Sequence, residues 1–131
     1  MVHALVESMG LFNVMHCYCP GRFERRFVES FHASNYIDVL FNQKNASIAI
    51  NALEDFGLVD DSPLFTGINV YVQALIGSAH RIVELVENGY QYVINWDGGR
   101  HHAGSSQAAG YCYINGTFAK QVSDLYLKML C

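Results

Sequence analysis

Apolar positions recur at helical spacing in several places along the chain. Over residues 2–12, Leu5, Met9 and Phe12 fall on one face, which predicts a helix. Asn13 to Cys19 reads as a short strand that ends at Pro20-Gly21. Ser34 is placed to cap a short helix over 35–42, and 46–56 reads as another short helix. The clearest element follows Ser62-Pro63. Ile68, Tyr71, Val72, Leu75, Ile76, Ala79, Ile82, Val83 and Val86 recur on one stripe up to an Asn88-Gly89 stop. Tyr90 to Asn95 (YQYVIN) then predicts a short apolar strand, and a glycine-rich loop runs from Trp96 to Gly110. Phe118, Val122, Leu125 and Met129 predict a final amphipathic helix. Helix, turn, strand, loop, helix is the grammar of an α/β domain with a parallel sheet. In such sheets the loops at the carboxyl ends of strands carry the chemistry, and the 96–110 loop is so placed.

Composition narrows the class. At 131 residues there is room for one domain, and 51% hydrophobic with 15% charged residues is a globular balance. The net charge is −4, and the one cationic cluster is Arg22, Arg25 and Arg26, which argues against direct nucleic-acid binding. No apolar run approaches the roughly 18 residues of a membrane span. MVHALVESMG lacks the basic start and apolar core of a signal peptide, so an intracellular protein is expected. Four cysteines do not make a disulfide scaffold. His16-Cys17-x-Cys19 could be half of a zinc site, but no second Cys/His pair stands at finger spacing. Reduced, partly buried thiols are expected instead.

The loop reads NWDGGRHHAG, then SSQAAGYCYIN. Three chemistries compete for it. A glycine-rich turn can cradle phosphate on backbone N–H groups, although neither common phosphate-loop pattern is present. Adjacent histidines could bind a metal, but their side chains diverge and need further ligands. Alternatively, two imidazoles can act as acid and base beside a metal held elsewhere, because histidine titrates near neutral pH. Residue chemistry alone leaves that third reading level with a merely structural pair.

The segment INWDGGRHHAGSSQAAGYCYIN closely resembles the histidine-pair loop of class I histone deacetylases. That family's pattern is a strand, N-W-x-G-G-x-H-H-A, a variable stretch, then [SA]-G-[FY]-C-Y-x-N. MVHALVE is similar to the start of the family's first long helix, and Phe31-His32 with Tyr36-Ile37 to its F-H-x-x-x-Y segment. FGLVDDSPLFTGI is similar to its G-L-x-x-D-C-P loop. The likeness covers residues 1–115, is vaguest over 21–55, and is nearest the histone deacetylase 8 type.

The resemblance implies a single-domain, parallel-sheet fold of the arginase/deacetylase type with helices on both faces, incomplete over 1–131. It implies zinc-dependent hydrolysis of acetyl-lysine to lysine and acetate, on histones or other proteins. Corepressor partners and a nuclear or nucleocytoplasmic location are implied with it. Zinc would polarise the acetyl carbonyl and activate a water. His102 would be the general base and could also protonate the leaving amine, with His101 its electrostatic partner. Gly110 would offer its carbonyl to the substrate amide, and Tyr111 would wall the lysine tunnel. Asp61 would accept peptide N–H bonds at the rim. Plainer readings stand beside these. The histidines could be structural, Tyr111 could be core, and Asp61 could be a cap before Pro63.

The departures also count. The family's zinc ligands begin in a D-x-D-x-H-H-G-D-G segment, and no D-x-H occurs in this chain. Its catalytic tyrosine and last aspartate would lie beyond Cys131, and Gly116 stands where the family has Asp. The expectation is an N-terminal portion, from a partial gene model or a spliced product, without turnover of its own. The alternatives are a non-catalytic interaction module of the same family and an unrelated nucleotide-binding domain.

Overall fold

A computed structural model describes residues 1–21, 23–41 and 50–116. The element order is α1 (Val2–Ser8), a 3-10 turn (Leu11–Asn13), α2 (Arg25–Glu29), α3 (Ser34–Phe41), α4 (Ile50–Asp55) and α5 (Ile68–Glu87). The expected helix over 2–12 is broken at Gly10, whose φ of 69° bends the chain into the 3-10 turn. Its buried residue is Val6. Leu5, Met9 and Phe12, the stripe the spacing picked out, are exposed. Ser34 does not cap α3 but begins it, and the Asn35 side chain accepts the Tyr36 N–H. The predicted final helix at 118–129 and the 46–49 end of the fourth lie outside the described residues.

α5 follows the sequence pattern most closely. It starts after Gly67 and ends in a Schellman motif, where Gly89 N–H bonds Val86 O and Tyr90 N–H bonds Leu85 O. Ile68, Val72, Ile76 and Ala79 are buried, as the stripe requires. Further along, Leu85 is buried and Val86 is exposed, so the buried face drifts off the predicted line.

Neither expected strand forms among the described residues. Residues 14–19 and 90–95 are irregular, and the β-pairing found is an isolated antiparallel bridge between Ala109 and Cys112. A strand is completed by its neighbour's hydrogen bonds, and no described segment supplies a ladder for YQYVIN. Tyr92 and Ile94 are accordingly exposed. No described helix is long and apolar enough to cross a membrane. Cys17 and Cys19 are exposed rather than partly buried, whereas Cys112 is in the interior.

The core joins α3 and α5 to the glycine-rich loop. Tyr36, Ile37 and Leu40 of α3 meet Ile68, Val72 and Ile76 of α5, with Val28, Leu58, Ala108, Tyr113 and Ile114 filling between them. Burying these side chains removes apolar area from water at about 25 cal/mol per Å², the main force holding the loop to the helices. The two phenols taken into this core are satisfied. Tyr36 donates its hydroxyl to the Tyr113 carbonyl, and Tyr113 donates its own to the Pro63 carbonyl. Burial pushes both phenols above their ordinary range, so they stay protonated donors. Ala108 N–H donates to Phe56 O at 2.8 Å and ties the loop to the chain after α4. The loop is thereby part of the core at one end and free to present side chains at the other.

Candidate functional site

The loop leaves Asn95 through a side-chain-assisted turn. Asp97 N–H bonds Asn95 Oδ1, and Gly98 N–H bonds Asn95 O. His101 and His102 follow, both exposed. Their rings stand 4.1 Å apart between centroids, tilted at 36°, so the adjacent imidazoles are in contact instead of diverging. His101 Nδ1 donates to the Gly99 carbonyl at 2.8 Å, which leaves Nε2 as the open nitrogen. Neither ring nitrogen of His102 is bonded among the described residues.

Fourteen residues of chain separate Arg100 from Asn115, and both ends are pinned. Gly116 N–H donates to Arg100 O, and the Asn115 side-chain amide donates to both His101 O and Ala103 O at 3.2 Å. These two carbonyls bracket His102. The Asn115 N–H in turn donates to Nε2 of His32, while His32 Nδ1 bonds Ser105 O at 3.2 Å. His32 was given no role by the sequence. Its position in the F-H-x-x-x-Y segment was visible, but the hydrogen bonds span 73 and 83 residues.

Ala109 and Cys112 exchange both backbone hydrogen bonds, at 3.1 and 2.9 Å, around Gly110 and Tyr111. Gly110 has φ 52° and Tyr111 φ 61°, the pattern of a type I′ turn. The turn folds against the second histidine. A Cβ on Gly110 would stand 2.8 Å from His102 Cγ, so glycine is required both for its φ and for this contact. Tyr111 is the one described non-glycine residue with positive φ, and the residue is 71% exposed. The core reading of Tyr111 therefore fails. A side chain held out at a strained position is a feature that commonly marks function.

Asp61 reaches this turn from the other side. Its Oδ2 accepts the Gly110 N–H at 3.0 Å, and Oδ1 accepts the Ser62 hydroxyl. It is not a helix cap, since α5 begins after Gly67. Asp61 is exposed, and its carboxylate has further lone pairs to offer. Arg100 braces the same turn, with its guanidinium 5.5 Å over the Tyr71 ring and within 3.4 Å of Tyr111 O. All five residues expected from the sequence (Asp61, His101, His102, Gly110 and Tyr111) thus meet in one surface patch. Gly110 contacts both Asp61 and His102.

A metal is a different matter. No group of three or more His, Cys, Asp or Glu side chains among the described residues could hold one. The paired histidines with a single nearby carboxylate do not fit a zinc ion. A groove of about 720 Å³ lies elsewhere, lined by Phe12, Tyr18, Ile82, Tyr92, Ile94 and Trp96 among others. It contains neither histidine of the pair.

The chain thus carries paired histidines in contact, a glycine packed on the second and an exposed aromatic beside them. It matches the histone deacetylase domain over residues 1–121 and belongs to that family. It is 32% identical over 117 residues to probable histone deacetylase 19 of Zea mays, covering 88% of this chain and 23% of that protein. It is 31% identical over 118 residues to histone deacetylase 1 of Homo sapiens, covering 88% and 24%. Histone deacetylase HDAC1 of Drosophila melanogaster is 32% identical over the same length, with 88% and 23% covered. The chain thus spans about a quarter of the length of these relatives. The match extends past Asn115, where the visible likeness ended, and it reaches type 1 and type 19 names as well as the family pattern.

Proposed function

We propose that this chain is the histidine-pair portion of a zinc-dependent lysine deacetylase. Such an enzyme hydrolyses acetyl-lysine on histones or other proteins to lysine and acetate. The observation that carries the reading is the close, tilted His101–His102 pair with Gly110 packed on His102 and Tyr111 held out beside it. The domain that these residues belong to is a parallel-sheet, arginase/deacetylase-type fold, of which 1–131 is a part, with helices to lie on both faces. Its expected setting is nuclear or nucleocytoplasmic, with corepressor proteins as partners and no direct contact with nucleic acid or membrane.

The zinc of such an enzyme has no three-donor site among the described residues, so the roles assigned here are those of this chain's own groups. His102, with unbonded ring nitrogens, would accept the proton of the attacking water and return one to the leaving amine. His101, oriented through its Nδ1 bond to Gly99 O, would stabilise the charge on its neighbour. The exposed Tyr111 ring would flank the methylene stem of the lysine. Gly110 would offer its carbonyl, since its N–H is occupied by Asp61. Asp61 would use its remaining lone pairs at the rim.

The test is His102→Ala in a complete enzyme that carries this segment. Turnover should fall by about 10²–10⁴-fold while bound zinc is retained, because a base is lost and no ligand is. A folded mutant without zinc would make His102 a ligand and overturn the assignment. A second reading is an interaction module that binds acylated tails or deacetylase partners without turnover. It is favoured by the lack of a three-donor cluster among the described residues. An encoding transcript with an in-frame D-x-D-x-H-H segment downstream would decide for the enzyme.

A further inference from the structure

The roles above concern side chains that face outward, but something must hold the backbone that bears them. Three described groups converge on it from inside the fold. His32 is only 2% exposed, at the entrance to α3. Its Nδ1 faces the Ser105 carbonyl and its Nε2 faces the Asn115 N–H. A carbonyl can only accept and an N–H can only donate, so the two contacts fix one state of the ring. His32 is neutral, with its proton on Nδ1. Ala33 N–H donates to the same Ser105 oxygen, so α3's entrance grips the loop twice.

The grip is relayed to the histidine pair by Asn115. Its backbone N–H is held by His32, and its side-chain amide donates one hydrogen each to His101 O and Ala103 O. Those carbonyls belong to the peptide units on either side of the His102–Ala103 pair. A swing of the Asn115 backbone would therefore move the His102 ring relative to Gly110, which touches it from the opposite side.

We infer that His32, in its neutral Nδ1–H form, is the positioning residue for the His101–His102 pair and acts through Asn115. That the pair handles protons rests on the proposed function, but the clamp itself does not. Burial favours the neutral ring and outweighs the backbone contacts at Ser105 and Gly104, which favour the protonated one. The ring is walled by Phe31 and Tyr36, at centroid distances of 4.8 and 5.7 Å. Tyr36 is the titratable neighbour among these, and its hydroxyl is engaged with the Tyr113 carbonyl.

The experiment uses the uniformly ¹⁵N-labelled 131-residue chain, and reads ring nitrogens and backbone amides by ¹H–¹⁵N NMR at pH 7.5. His32 in the unaltered protein should show a protonated Nδ1 and a bare Nε2. His32→Phe keeps the ring but neither polar contact. It should speed exchange of the Asn115 amide by about tenfold, the worth of one hydrogen bond, and shift the His101 and His102 resonances. His32→Gln restores an acceptor and should recover most of that protection. Asn115→Asp removes the side-chain donors. It should shift the His101 and His102 signals while leaving the His32 tautomer unchanged, and it serves if His32→Phe does not fold. A proton on Nε2 of His32 would overturn the inference. So would histidine-pair signals unmoved in a folded His32→Phe or Asn115→Asp protein. Loss of deacetylation in a complete enzyme would bear on the function, not on this clamp.

Discussion

Gly110 and His102 are in contact so close that a single added carbon does not fit between them: a Cβ at 110 would lie 2.8 Å from Cγ and 3.0 Å from Cδ2 of the imidazole. Gly110 also has φ 52°, where any L side chain is strained. Gly110→Ala should therefore destabilise the chain by about 1–3 kcal/mol and turn the His102 ring away. Urea unfolding reads the first effect, and the His102 ring resonances read the second. An alanine variant with unchanged stability and unchanged His102 signals would mean that the turn does not rest on the ring.

Tyr111 bears the opposite relation to its surroundings. Its backbone is strained, and its exposed ring packs little, so Tyr111→Gly should stabilise the fold or leave it within about 1 kcal/mol. In a complete enzyme the side chain would matter for substrate. Tyr111→Phe should leave kcat/KM within a few-fold, because in the proposed role the ring face and not the hydroxyl would meet an apolar stem. Tyr111→Ala should raise KM and lower kcat/KM. Equal and severe losses in both would point to a catalytic hydroxyl.

The buried His32 gives stability a pH dependence of determined sign. Burial lowers its folded pKa below the ordinary value of about 6.5, so the unfolded chain takes up the proton first as pH falls. Its contribution is fully present above about pH 6.5 and is lost progressively as pH drops toward the folded value. The urea midpoint should therefore fall between pH 7.5 and 5.5. His32→Gln should flatten that slope, and an identical slope in the variant would assign the dependence to other groups.

Activity of the 131-residue chain by itself should be absent. A base without a metal-activated water lacks several kcal/mol of transition-state stabilisation, and the described residues do not gather three metal donors. Acetate release from an acetyl-lysine peptide, followed with purified zinc-loaded chain, measures it. Robust turnover would mean that a zinc site assembles from these 131 residues after all.

Association is expected as well. Tyr92, Ile94, Trp96, Phe12 and Val14 are exposed near the 720 Å³ groove, and Leu5 and Met9 of α1 are exposed too. At about 25 cal/mol per Å², a few hundred Å² of wet apolar surface amounts to several kcal/mol. That is comparable to the whole stability of a small domain. Light scattering should show oligomers, or urea should show a broad, early transition. A monomer with one sharp transition would mean that the described core is self-sufficient, and would strengthen the interaction-module reading.

What the sequence determined by itself was local. The 3.6-residue spacing of Ile68, Val72, Ile76 and Ala79 and the Asn88-Gly89 stop defined α5, because periodicity and capping act within a few residues. The long N-W-x-G-G-x-H-H-A pattern identified the family and the loop, since so many specified positions do not coincide by chance. The fate of YQYVIN was not legible, because a strand needs a partner that its own residues do not contain. Only the tertiary structure decided that Leu5, Met9 and Phe12 face outward and that Asp61 holds Gly110 N–H. Only it gave His32 a task, since that task depends on hydrogen bonds to residues 73 and 83 positions away. Spacing along a helix or a motif is a property of neighbours in sequence. Which buried polar group meets which is settled only when the chain closes on itself and each donor must find an acceptor.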